Sequence, residues 1–101
     1  MRDPKILTEV KATLALLADR YPGKAIEVRV PPYAAVQCGE GPKHTRGTPA
    51  NVIEMDAQTW LQLVSGERSW SDAYNEGLIF ASGVRADLSH LLPLTGARNE
   101  S

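Results

Sequence analysis

Cys38 is the one thiol in a chain of 101 residues, and His44 follows it across a glycine-rich stretch. A thiol and an imidazole joined by a loop are the parts of a nucleophile and its general base. Against that reading, Cys38 alternates with Ala34 and Val36, which puts all three on one face of a strand. A lone buried cysteine behaves as a small hydrophobe. Its thiol also stays protonated unless a cation or base stands beside it. The residues point away from thiol catalysis, and no other catalytic constellation can be assembled. Metal ligation fares no better, because the two histidines, His44 and His90, lie far apart. Neither Cys-x-x-Cys nor His-x-x-x-His spacing occurs. Gly39, Gly41 and Gly47 form neither a dinucleotide fingerprint nor a phosphate loop, so no cofactor is expected.

Two features are left that could hold a ligand. The first is the polar run His44-Thr45-Arg46-Gly47-Thr48-Pro49. Arg46 could grip an anionic headgroup there, since a guanidinium meets carboxylate or phosphate with two parallel hydrogen bonds. The plainer alternative is a structured loop whose Thr and His side chains satisfy nearby backbone groups. The second feature is apolar. Trp60, Leu63, Trp70, Tyr74, Phe80, Leu88, Leu91 and Leu92 crowd the second half of the chain. Each alone reads as core. Together they exceed what three short elements need, a generous apolar supply for the walls of a pocket between helices and sheet should the fold provide one.

The elements that must position these residues are marked by punctuation. Asp3-Pro4 can open a helix, with Asp accepting from free amides and Pro needing no partner in the first turn. Leu7, Val10, Leu14 and Leu17 then recur at helical spacing for one buried stripe, and Pro22-Gly23 ends the run, which predicts a helix over 4–20. Ile26–Val30 alternates apolar and charged residues, as a strand with one buried face does. Pro31-Pro32 must interrupt the ladder. Further strands are expected at Tyr33–Cys38, Val52–Met55 and Leu78–Ala81, with a short one around Lys43–Arg46. Asp56 heads a helix ending at Ser65-Gly66, and Ser69-Trp70-Ser71-Asp72 has the form of a capping box. A last helix is expected over 85–92, with Pro93 as its stop and His90 near its negative end. The order predicts an α+β fold with a mainly antiparallel sheet. One domain over 1–94 and a frayed tail over 95–101 complete the expectation.

Composition narrows the partners. There are 11 Lys and Arg against 12 Asp and Glu, a formal net charge of −1 with no basic run, so nucleic acid loses its usual electrostatic support. Hydrophobic residues make up 43% and charged residues 23%, which suits a folded domain rather than a disordered one. The longest apolar stretches are too short to cross a bilayer, and Met1-Arg2-Asp3-Pro4 does not open a signal peptide. A cytoplasmic protein with no integral membrane association is expected, and a single cysteine fits a reducing compartment.

The stretch from Val52 to Leu92 resembles the C-terminal half of sterol-carrier-protein-2-like domains. The resemblance rests on Val52-Ile53-Glu54-Met55-Asp56, Trp60-Leu61, Gly66, Ala73-Tyr74, Gly77, Leu78–Ala81, Gly83 and Leu88 at matching spacing. The middle segments, Val30–Cys38 and Gly41–Pro49, are similar to the actinobacterial branch of that family, the bacterial SCP orthologs. The resemblance implies about five strands in a mainly antiparallel sheet covered by helices. It also implies an internal apolar cavity for an acyl chain, acyl-CoA or sterol-like lipid, with binding or transfer and no catalysis. The alternative it carries is an accessory domain without a ligand, packing against a second copy or a partner protein.

Overall fold

The computed structural model describes residues 3–41 and 51–95 of the chain. Helix α1 spans Pro4–Arg20. The Asp3 carboxylate accepts from the Lys5 amide at 2.8 Å and the Ile6 amide at 3.4 Å, which satisfies two donors that a helix start leaves unpaired. Val10, Leu14 and Leu17 form its buried stripe.

Strands β1, Ile26–Val30, and β2, Ala34–Cys38, make an antiparallel hairpin in which Val28 faces Val36 and Ile26 faces Cys38. The alternation in β1 is borne out: Ile26, Val28 and Val30 are buried, while Glu27 and Arg29 lie toward the other face. Strand β3, Asn51–Glu54, pairs with β1 in parallel, and β4, Phe80–Ser82, pairs with β3 antiparallel. Among the described residues the sheet therefore has four strands in the order β2-β1-β3-β4, not the five expected. The strand anticipated around Lys43–Arg46 lies outside the described residues.

Helices α2, Ala57–Ser65, and α3, Trp70–Asn75, connect β3 to β4. The Thr59 amide donates to the Asp56 carboxylate at 2.8 Å, and Gly66 takes the left-handed conformation that closes α2. The Ser69 hydroxyl accepts from the Asp72 amide at 3.0 Å, as the capping-box spacing predicts.

β4 starts two residues later than the pattern suggested, and the end of α3 supplies the reason. Gly77, at φ 77°, donates to the Tyr74 carbonyl while the Leu78 amide donates to the Ala73 carbonyl. This paired closure consumes the backbone of Leu78 for the helix, so ladder pairing begins only at Phe80. The expected helix over 85–92 is likewise shortened to one 3₁₀ turn, Ser89–Leu91. Ahead of it the chain is bonded locally instead. The Ala86 amide donates to the Gly83 carbonyl, and the Asp87 carboxylate accepts from the Ser89 amide at 2.8 Å. Short side-chain acceptors compete with helical bonding in this way.

The helices pack on one face of the sheet, and the layer between is filled by Val10, Leu14, Val28, Ile53, Trp60 and Leu88, all fully buried. Trp60 donates its indole N–H to the Thr13 hydroxyl at 2.8 Å, which ties α2 to α1. Asn51, also buried, reaches the Ala25 carbonyl at 2.8 Å and accepts from the Arg85 amide at 2.9 Å. The outer face carries Glu27, Arg29 and Glu54, with Arg29 Nε 3.0 Å from the Glu27 carboxylate. So exposed a pair contributes little to stability.

Candidate ligand-binding site

The chain from Gly83 to Thr95 runs back over the helices as a strap. It is fixed at one end by Asn51, through the Arg85 amide. At the other end the amides of Leu94 and Thr95 both donate to the Val64 carbonyl, at 3.0 and 3.1 Å, and Arg20 Nη1 donates to the Leu94 carbonyl at 2.7 Å. Ala86, Leu88 and Leu94 are the residues by which the strap enters the core.

Between the strap and α3 lies a cavity of about 500 Å³ whose apolar walls are Leu63, Trp70, Leu92 and Pro93. A neighbouring cavity of about 430 Å³ is lined by Trp70, Tyr74, Ala81 and Ala86. Trp70, Ser71 and Ser89 line both, so the two are halves of one groove that passes the edge of the half-buried Trp70 ring. Each half falls within the ~300–1,000 Å³ typical of small-molecule sites.

The eight apolar residues singled out by sequence are distributed unequally. Leu63, Trp70, Tyr74 and Leu92 come together in this groove. Trp60 and Leu88 sit behind it, fully buried in packed core. Leu91 faces a different cavity on the α1 side of the strap. Phe80 projects from the outer face of the sheet, opposite Glu54 in the ladder, and is 63% exposed. The inward residues of that segment are Ile79 and Ala81, and Phe80 shares the outward face of Glu54, its partner across the ladder. Arg46 lies outside the described residues.

Sequence reasoning missed Ser71, Ser89 and Pro93 as wall residues. Pro93 was legible only as a helix stop, Ser71 only as a position within the capping-box run, and Ser89 only as part of the expected last helix. Asn51 carried no signal at all, because its role is to bridge segments distant along the chain.

Cys38 is fully buried at the end of β2, and that burial pushes its thiol up to about 11. A thiol held neutral is a poor nucleophile. Among the described residues no group of three His, Cys, Asp or Glu side chains could hold a metal ion. No described helix is long and apolar enough to cross a membrane.

Helices over one face of an open sheet, with a groove of mixed apolar and polar lining at its margin, define an α+β domain. Residues 2–94 match the family described as bacterial SCP ortholog, and the chain belongs to that family. The sterol-carrier-like assignment expected from the sequence is thus borne out, and membership suggests lipid binding or transfer in general. No curated protein matches the chain.

Proposed function

We propose that this protein binds an apolar ligand, an acyl chain or comparable lipid, in the Trp70 groove and carries it without chemical change. The observation that carries this reading is the convergence of Leu63, Trp70, Leu92 and Tyr74 on one continuous groove. Family membership supports the same class of ligand. The buried, neutral Cys38 favours a carrier over a thiol enzyme and suits a cytoplasmic setting.

The groove is a margin of the core, not a tunnel through it, because Trp60 and Leu88 fill the space between sheet and helices. An acyl chain would lie along the Trp70 ring and be covered by the strap on one side. Fatty acid or acyl-CoA added to the protein should therefore quench tryptophan fluorescence saturably. It should also raise the melting temperature, since a ligand bound only by the folded state stabilises it by mass action. Trp70→Ala should weaken binding about tenfold, the scale of one lost aromatic wall. Trp60, bonded to Thr13, should be nearly silent in that titration.

One observation favours a second reading, an interaction domain. Phe80 at 63% and Val84 at 100% exposure are apolar side chains presented by β4 and the turn after it. A protein that ignores lipid but shows a concentration-dependent mass, abolished by Phe80→Lys, would favour that reading and remove the carrier.

A further inference from the structure

A valley of about 730 Å³ runs between α1 and α2. One wall is Ile6, Glu9, Ala12 and Thr13, which share a face of α1. The other is Gln58, Leu61, Gln62 and Ser65, spaced as one face of α2. Glu67 and Thr95, at the C-terminal end of α2, complete the lining. It shares no residue with the Trp70 groove. We propose that this valley docks a basic amphipathic helix of a partner protein.

The shape of the walls selects a helix. Both are helix faces, whose side-chain ridges interdigitate with those of a third helix laid between them. Along their length both bond their own amides and carbonyls, so an extended segment finds no ladder to join. Ile6 and Leu61 pack on the core yet keep a side toward the valley, and Ala12 beside them is exposed. These three meet the apolar stripe of the incoming helix.

Charge selects its sign. The lining holds two carboxylates, Glu9 and Glu67, and no cation. Neither is ion-paired with another described residue. Lys5 and Lys11 share α1 with Glu9 but do not line the valley. Arg68, next to Glu67, is turned to the Gln62 amide oxygen and the Glu76 carboxylate. Two carboxylates flanking an apolar floor complement Lys or Arg flanking an apolar stripe. A second copy cannot supply that stripe, because Val10, Leu14, Leu17, Trp60 and Leu63 of α1 and α2 are buried in its own core.

The valley is also formed in advance. Thr13 accepts from the Trp60 indole at 2.8 Å and donates to the Glu9 carbonyl at 2.7 Å. The Thr95 hydroxyl donates to the Val64 carbonyl at 3.3 Å. None of these bonds uses the Glu9 or Glu67 side chain, so the walls are fixed while both carboxylates stay available.

The test uses three peptides of about 14 residues, four helical turns each. One carries Leu at helical spacing with Lys on the remaining face, the second has Glu in place of Lys, and the third scrambles the first. Titrated into the full chain by calorimetry, the first should bind at least about tenfold more tightly than either other peptide. Amide shifts should centre on Ile6–Thr13 and Gln58–Glu67. Ala12→Trp, at an exposed site, should fill the valley and weaken binding about tenfold or more, as should Glu9→Lys combined with Glu67→Lys. Both variants should keep the melting temperature and the fatty-acid quenching of Trp70, while Asp19→Lys, an exposed acid of α1 outside the valley, should leave peptide affinity unchanged. No binding of the Lys peptide, equal binding of the Glu or scrambled peptide, or affinity indifferent to Ala12→Trp or to the double charge reversal would each overturn the proposal. So would a concentration-dependent mass of the chain alone that Ala12→Trp abolishes, which would give the valley to a second copy.

Discussion

Three side chains show how single positions decide what this protein can do. Cys38 is chemically quiet because no water reaches it, and its thiol is raised from about 9 to about 11. The sign of the consequence follows from linkage. Below pH 9 the thiol is protonated folded or unfolded and costs nothing. Between 9 and 11 only the unfolded chain ionises, so stability should fall as pH rises through that window. Cys38→Ala should flatten that part of the pH profile, and a thiol reagent should label the native protein far more slowly than the urea-unfolded chain. Trp60 and Thr13 form the second case. Thr13→Val would leave the indole N–H buried without an acceptor and should cost about 1–3 kcal/mol by denaturant melts. Adding Trp60→Phe to that variant should cost less than the sum of the single changes, because the orphaned donor goes with it. Leu88 is the third case, fully buried behind the groove rather than lining it. Leu88→Trp would overpack the core, typically at about 1–3 kcal/mol. Leu92→Trp is the change that narrows the groove itself, and it should reduce acyl-chain quenching while the melting temperature holds.

At the scale of elements, ends matter more than middles. α1, α2 and α3 were legible because Asp3, Asp56 and Ser69 each stand where a helix has unpaired amides, and the structure shows each making its bond. Asp56→Ala should therefore lower stability by about 1 kcal/mol. The Gly77 closure was harder to weigh in advance. A glycine stop was evident, but not that it would take the next residue's amide away from β4. An added Cβ at Gly77 would meet nothing within 4 Å, so Gly77→Ala should cost only the left-handed backbone penalty, about 1 kcal/mol. A much larger loss would mean that the closure also holds the register of β4. The 83–95 strap defeated the helical pattern for a local reason, since Asp87 bonds the Ser89 amide and a single 3₁₀ turn follows.

For the molecule as a whole, the strap joins parts that sequence keeps apart. It is pinned by Asn51 from β3, Val64 from α2 and Arg20 from α1. It also separates the Trp70 groove from the cavity on its other side, which Arg20, Arg85 and Leu91 line. If these pins set the local stability, Arg20→Met should speed amide hydrogen exchange at Leu94 and Thr95 while the amides of β1 keep their protection. Acceleration spread evenly over the sheet would instead make Arg20 a support of the global fold.

Periodicity and caps were enough to determine the α+β class, the three helices and the buried face of β1, while the family showed in the resemblance of particular motifs. These depend on neighbours a few residues apart, whose spacing is written directly in the chain. Tertiary structure alone decided which apolar residues are wall and which are filling. Trp60, Leu63, Trp70 and Leu92 have the same chemistry, yet Trp60 is closed off by Thr13 while the other three line a groove. It also turned Phe80 outward, and it brought Arg20 and Arg85 to one cavity from opposite ends of the chain. Such outcomes rest on contacts between distant segments and on register, where a shift of one residue reverses every side chain.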